Sequence, residues 1–323
     1  MSNYTKISLD DAEAILSLYN LKEEDGSPVV IQELIPLSLG ISNSNYKVRT
    51  FKSVLLLKIS NDKNESDLSK EMSILERLAE LKFPYSLTPF QTTNKKMVYR
   101  CQHWYGVLFP FIEGIPPGPN DATCFEIGAA LGLLHQISSK AVTTGIRPHE
   151  EVGFGPQKIL EYKKSANCPT DFKTSLQHLL PNLEEQFLLN KFPTGIIHGD
   201  LYYDNTLFDL NRLKVLLDFE QAGVGEFILD IGISISGTCL EKGLANPMLI
   251  HSYLRGYMTA RQLTSAEKQV MKEAIILGYF SISLWRIKRF KEGNLNPALR
   301  ESYRDLIDKA EYFNKYVAPE IFF

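Results

Sequence analysis

The chain has 323 residues, 44% hydrophobic and 23% charged, enough to bury a large core and to form two domains. A net charge of -3 and a pI near 6.1 lack the basic excess of a polyanion binder and argue against a nucleic-acid partner. Cys101, Cys124, Cys168 and Cys239 are scattered without CxxC spacing, which argues against a zinc site or a disulfide framework and for reduced thiols in a cytoplasmic protein; no stretch approaches the roughly 18 apolar residues of a membrane span, and MSNYTKISLDD is not expected to act as a signal peptide.

In chain order, residues 8–22 predict a short helix capped by Ser8, with Asp10 and Asp11 in its first turn and Ala12, Ile15, Leu16 and Leu18 on its apolar side. Residues 48–50 and 54–59 read as a hairpin closed by TFKS, part of an antiparallel sheet. The stretch GISNSN before it reads as a polar turn. There Ser42, Asn43, Ser44 and Asn45 would let backbone N–H groups approach an anion, or simply close a hairpin. No GxGxxG or GK[ST] accompanies it, which excludes a P-loop. In LLLKI, alternation puts Lys58 on one face with Leu56, where a lysine either snorkels at an edge or meets a functional partner. Met72, Leu75, Leu78 and Ala79 predict a helix over 64–82, stopped by Pro84; Glu71 and Glu76 on it are alternative partners for Lys58. Strands are expected over 87–93 and 97–111, with Pro110 excluding a central ladder position after Phe109. FPFIEGIPPGP, with four prolines and two glycines, marks a hinge at 109–119 between an N-terminal lobe, 1–108, and a C-terminal lobe, 120–323.

Beyond the hinge, residues 121–138 predict a helix capped by Asp121, with His135 a structural histidine on its buried side. A loop over 141–157 precedes helices at 157–164 and 171–190. After residue 220 come a buried helix over 227–240 and another over 246–260. A Thr264/Glu267 capping box opens a helix running toward Trp285 with a break near Gly278, and a last helix covers 297–316. The fold class is therefore α+β, a small antiparallel-sheet lobe and a large, mostly helical lobe.

The segment TGIIHGDLYYDNTLFDLNRLKVLLDFE, 194–220, carries the chemistry. His198, Asp200 and Asn205 lie where one apolar strand stops, and the run Leu213–Leu217 ends on Asp218. Two carboxylates and an amide at strand ends fit a general base beside a divalent-cation site. Asn205 and Asp218 offer the hard oxygens that magnesium prefers, Asp200 is near enough to share the site, and Lys58 steadied by Glu71 would meet phosphate oxygens.

HGDLYYDN followed by LLDFE resembles the HxDxxxxN and aspartate motif pair of the aminoglycoside phosphotransferase and choline kinase-like superfamily, small-molecule kinases with a protein-kinase-like fold. The resemblance extends over the LLLK strand, the Glu71 helix, the FPFIEG hinge and the LGLLH helix. It implies ATP and Mg2+ as cofactors, Asp200 as catalytic base, Asn205 and Asp218 as metal ligands, and Lys58, paired with Glu71, on the ATP phosphates. It further implies backbone between Phe109 and Glu113, Phe111 included, against adenine, with His198 and Asp230 bracing the catalytic loop. Within the superfamily the chain most resembles the bacterial homoserine kinases of this fold: LGISNSNY stands where they have EGxxNSNF, and HGDLYYDNTLF where they have HADLFPDNVFF.

The chain also departs from that group. RPHEEVGFGP carries His149 where an asparagine is usual, without the usual tryptophan, and FEQA replaces FYFA after Asp218. Glu220 thus adds a negative charge suited to an amine-bearing acceptor, while a homoserine carboxylate would need Arg147 or Arg286. Choline, ethanolamine, aminoglycosides or sugars are the alternative acceptors, and a non-catalytic pseudokinase is the reading from another class. The partner is a small-molecule hydroxyl acceptor, with neither nucleic acid nor membrane.

Overall fold

The structure is a computed structural model that describes residues 4–23, 25–37, 43–139 and 143–323. Ser42, expected in the polar turn, lies outside the described residues. The chain divides into two compact units, Met1–Glu80 with Ser86–Glu113, and Leu81–Tyr85 with Gly114–Phe323.

The first unit contains α1 (Leu9–Leu16), β1 (Glu33–Leu37), β2 (Asn43–Arg49), β3 (Val54–Ser60), α2 (Glu65–Glu80), β4 (Val98–Cys101) and β5 (Trp104–Pro110). The strands form one antiparallel sheet in the order β1-β2-β3-β5-β4. Alternation turns Leu55, Leu57 and Ile59 into a core with Tyr46, Val48, Leu108 and the Ala12–Ile15 face of α1. Ser8 caps α1 as expected and forms a capping box with Asp11, but the helix ends at Leu16 rather than at 22. Beyond it Tyr19 bridges Thr92.

Two expectations are corrected in this unit, and one strand is unpredicted. Asn43, Ser44 and Asn45 are not a turn: they open β2, opposite Ser60, Ile59 and Lys58. Two bonds from upstream support the start of this strand: Thr5 N–H donates to Ser44 Oγ at 2.8 Å and Tyr4 Oη donates to the Asn45 main-chain carbonyl at 2.8 Å, while the Asn43 and Asn45 side-chain oxygens are buried with no hydrogen-bond partner among the described residues. The unpredicted β1 carries Pro36 on the sheet's edge, where a missing N–H leaves no ladder gap. Residues 87–93 form no strand. Thr92 instead closes a turn with Lys96, its N–H donating to the Lys96 carbonyl at 2.8 Å. Pro110 sits opposite Leu55 at the end of β5, past the last residue that pairs with β4.

The second unit contains α3 (Asp121–Ser138), α4 (Pro156–Lys163), α5 (Thr170–Leu179), α6 (Leu183–Phe187), β6 (Thr194–Ile197), β7 (Thr206–Asp209), β8 (Arg212–Leu216), β9 (Gly223–Glu226), α7 (Phe227–Thr238), β10 (Leu240–Glu241), β11 (Leu244–Ala245), α8 (Pro247–Ala260), α9 (Ser265–Gln269), α10 (Met271–Arg286) and α11 (Tyr303–Tyr316). Its strands pair as β6–β9, β7–β8 and β10–β11. Asn120, not Asp121, caps α3, exchanging hydrogen bonds with Thr123. The expected helix at 171–190 is two helices, because Pro181 cannot continue the ladder from α5. The break between α9 and α10 falls at Val270, and Gly278 lies inside α10. Gly278 faces Gly232 of α7: a Cβ at Gly278 would stand 2.5 Å from the Gly232 carbonyl oxygen. The two glycines let the helix backbones touch, and α7 is buried along its whole length. Among the described residues no helix is long and apolar enough to cross a membrane.

Candidate active site

β6 delivers His198 and Gly199 to the loop that carries Asp200. Gly199 has φ +77°, and a Cβ there would stand 2.6 Å from the Gln221 carbonyl oxygen, so conformation and space both require glycine. Two cross-links tie this loop to the end of β8. His198 Nε2 donates to the Leu217 carbonyl at 2.8 Å, and Leu217 N–H donates to the Asn205 carbonyl at 2.8 Å. The Asn205 amide nitrogen donates to the Asp200 carbonyl at 2.8 Å, which leaves the amide oxygen as the group on offer to a cation. Asp218 stands exposed in the left-handed region, φ 58° and ψ 65°, a costly conformation for a non-glycine residue and one concentrated at functional sites.

Beneath the loop lies Asp230, fully buried in α7. Its carboxylate accepts from the His198 and Gly199 amides, both at 2.8 Å, and from His135 Nε2 at 3.0 Å. Burial alone would raise its pKa, but His135, His198 and the Gly199 amide hold it below the usual carboxylate value. Burial also depresses His135 against the pull of Asp230, so a neutral ring donates through Nε2 and accepts through Nδ1 from the Tyr257 hydroxyl at 2.8 Å. Tyr257 in turn accepts from Arg261 Nη1 at 2.8 Å, and Arg261 Nη2 reaches both Glu267 oxygens at 2.9 and 3.0 Å.

Four carboxyl groups gather at this loop, Asp200, Asp204, Asp218 and Glu220. Burial first, then the Asp218, Glu220 and Asp204 carboxylates, push Asp200 well above its ordinary value. Such a cluster attracts cations. Among the described residues no three His, Cys, Asp or Glu side chains form a self-contained metal cage. Asn205 with Asp218 fits the other known arrangement, in which one or two protein oxygens hold magnesium together with substrate phosphates.

In the first unit, Lys58 points from the half-exposed face of β3 to Glu71 of α2, Nζ to Oε1 at 3.4 Å, while Glu76 is exposed. Glu71 is 2% exposed and also binds Lys63 at 2.8 Å. Burial would raise its carboxyl, yet the two lysines outweigh that and hold it at about 2. Phe109 is buried in β5, and the Phe111 amide donates to the Val54 carbonyl at 3.0 Å, so it is committed to the sheet. The Phe111 ring carries the Lys47 ammonium 4.2 Å from its centroid.

The candidate acceptor residues divide. Arg147 is buried and donates to the main chain, Nε to Ala222 at 2.9 Å and Nη2 to Glu220 at 2.6 Å. Glu220 belongs to the carboxylate group around Asp200. Arg286 ends α10, half-buried. His149 is buried with Nε2 unpartnered, and burial takes its pKa down to about 4. Sequence reasoning missed Lys63, a loop lysine without periodicity, and the Tyr257–Arg261–Glu267 chain. The one signal for that chain was the Thr264/Glu267 capping box.

A model of the phosphotransferase enzyme family matches residues 33–264. The chain is 27% identical to a homoserine kinase of Sinorhizobium medicae over 274 residues, 84% of this chain and 81% of that one. It is also 27% identical to a homoserine kinase of Methylocella silvestris over 281 residues, 84% and 83% of the two chains. Its fold is similar to that of an amicoumacin kinase solved with AMP-PNP, Ca2+ and Ami, with TM-score 0.68 and 15% identity over 97% of this chain and 95% of that one. A microcompartment-associated aminopropanol kinase gives TM-score 0.67 and 16% identity over 95% and 98%.

Proposed function

We propose that this chain, which belongs to the phosphotransferase enzyme family, is a cytoplasmic kinase that transfers the γ-phosphoryl group of ATP, with Mg2+, to the side-chain hydroxyl of L-homoserine. The observation that carries the reaction is the loop geometry: Asp200, Asn205 and Asp218 are held in one frame by the His198–Leu217 and Asn205–Leu217 bonds. Phosphoryl transfer asks the protein for positioning and charge more than for covalent chemistry. Asp200 takes the hydroxyl proton as the oxygen bonds to the γ-phosphorus, the bond to the bridging oxygen breaks, and ADP leaves. Asn205 and Asp218 hold the magnesium ion, which neutralises phosphate charge when bound. Lys58, steadied by Glu71, contacts the ATP phosphates. Since Phe111 N–H is committed to Val54, the adenine contact falls to the rest of the 109–113 backbone. We assign residues 1–108 to nucleotide binding, 109–119 to the hinge and 120–323 to base, metal and acceptor.

Homoserine is favoured as acceptor by the likeness to homoserine kinases over 84% of the chain. A polycationic acceptor such as an aminoglycoside is the second reading, favoured by the Asp200, Asp204, Asp218 and Glu220 cluster. ATP consumption with homoserine, choline, ethanolamine, methylthioribose and several aminoglycosides separates the two. Asp200→Asn should retain ATP binding and lose about 100-fold or more in turnover, the scale of general-base catalysis. Turnover near wild type would refute the role of Asp200, and turnover of another acceptor without homoserine would replace the substrate.

A further inference from the structure

Homoserine differs from its decarboxylated analogue, aminopropanol, by one carboxylate, and a partly buried carboxylate needs a cation. Of the two arginines the sequence offers, Arg147 is 7% exposed and holds the Glu220 and Ala222 carbonyls, so it shapes the turn after Asp218. Arg286 is placed differently. It ends α10 where the chain passes into the π-helical turn Ile287–Glu292, a distortion that recurs at functional sites. Its Nη1 donates to the Ser302 carbonyl at 2.8 Å and stands 4.0 Å from Asp305. Nε and Nη2 have no acceptor among the described residues, which leaves one edge of the planar fork for a ligand.

The surroundings also carry unmet polar groups. Tyr279 lies two turns before Arg286 in α10, on the same face, fully buried with its hydroxyl unpartnered. Ser302 Oγ is likewise buried and unpartnered. Tyr202 lies two residues from Asp200. Its ring packs on Gly237 of α7, where a Cβ would stand 2.1 Å from Cδ1, and its hydroxyl lies 3.3 Å from Ser236 Oγ. Tyr202 thus packs on α7, the same helix that α10 meets at Gly232 through Gly278, and its phenol, raised by burial, is acted on electrostatically by both the Asp200 carboxylate and the Arg286 guanidinium.

Resting on the homoserine reading, the geometry points to Arg286 and Tyr202 as the residues that bind the acceptor's carboxylate and select a hydroxy amino acid over the corresponding amino alcohol.

The test compares L-homoserine and aminopropanol on wild type, Arg286→Gln, Arg286→Lys and Tyr202→Phe, with melting temperatures to confirm folding. Arg286→Gln should raise KM for homoserine roughly 10- to 100-fold, the range of a charge-assisted hydrogen bond, and leave kcat/KM for aminopropanol unchanged. Arg286→Lys keeps the charge without the fork and should fall between. Tyr202→Phe should raise KM for homoserine alone. The assignment is overturned if folded Arg286→Gln and Arg286→Lys keep the wild-type KM for homoserine, or lose both acceptors equally. Wild type without homoserine turnover overturns the homoserine reading instead. The same variants are then run on another carboxylate-bearing hydroxy acid that wild type accepts, and acceptance only of acceptors lacking a carboxylate overturns the assignment itself.

Discussion

Glu71→Gln removes one negative charge from a buried point that holds two lysines. Glu71 is 2% exposed, with Lys58 at 3.4 Å and Lys63 at 2.8 Å. Together they lower its carboxyl from the ordinary 4.5 to about 2 against the opposing effect of burial. Each pKa unit is worth about 1.4 kcal/mol, so the ionised carboxylate contributes about 3 kcal/mol of stability at neutral pH. Because the folded-state pKa is depressed, that contribution is fully present above 4.5 and is lost as pH falls through about 2. Wild type should therefore exceed Glu71→Gln by about 3 kcal/mol at neutral pH, with the gap shrinking steadily below 4.5 and closing near 2.

Urea unfolding across that range measures the gap. Trp104 in β5 reports on the sheet unit, with Trp285 in α10 replaced by Phe in both proteins to silence the other unit. A gap below about 1 kcal/mol at neutral pH, or one that does not change with acid, would refute the reasoning. The two lysines separate stability from function. Lys63→Met should cost stability while leaving ATP affinity within a few-fold. Lys58→Met should cost both, since only Lys58 is assigned to the phosphates.

Asp218→Asn should weaken magnesium-nucleotide binding by calorimetry about tenfold or more, a loss that even outer-shell partners of a metal can cause, and unchanged affinity would remove Asp218 from the metal site. Glu226, facing Glu150 at the end of β9, is raised to about 7, first by burial and then by Glu150. A raised carboxyl stabilises below its unfolded 4.5 and loses that contribution as pH rises through about 7, so Glu226→Gln should be more stable than wild type at pH 8 and not at pH 5. The shift sets a ceiling of about 3 kcal/mol, and solvent screening at this half-exposed group reduces the expected gain to about 1 kcal/mol. Gly278→Ala would gain about 1 kcal/mol from helix propensity alone, but its Cβ would stand 2.5 Å from the Gly232 backbone, so its melting temperature should fall rather than rise.

What the sequence discloses follows how local each signal is. Lys58 was legible because strand alternation acts over two residues, and the 194–220 segment because its polar groups sit at the ends of apolar runs. The strand assignment of Asn43–Asn45 was not legible, since two of the bonds that support the start of this strand come from Tyr4 and Thr5, about forty positions upstream. Pro181 was a visible stop signal that the leucine spacing around it outweighed. Gly278 read as a helix break because in isolation glycine weakens a helix. Its use as a contact surface depends on Gly232, in another helix. The Arg286 surroundings were hidden for the same reason: they combine Tyr202, Tyr279 and Ser302, from three separate stretches of the chain.

The buried chain beneath the loop shows why so much of the helical unit bears on Asp200 without touching it. A carboxylate at Asp230 can hold the His198 and Gly199 amides strongly only while ionised, and its full burial opposes ionisation. His135 relieves that by donating to Asp230, yet a neutral imidazole donates at Nε2 only if Nδ1 carries no proton and finds a donor of its own, which Tyr257 supplies. The Tyr257 proton is directed at His135 because Arg261 already occupies the hydroxyl oxygen as a donor, and Arg261 is held over the Tyr257 and Phe227 rings by both Glu267 oxygens. Glu267 is fixed by the Thr264 capping box at the start of α9. Each donor direction is thus set by the next group outward, from a helix cap to the two amides that precede Asp200. A local capping signal and the left-handed turn at Gly199 are the two ends of one hydrogen-bonded support.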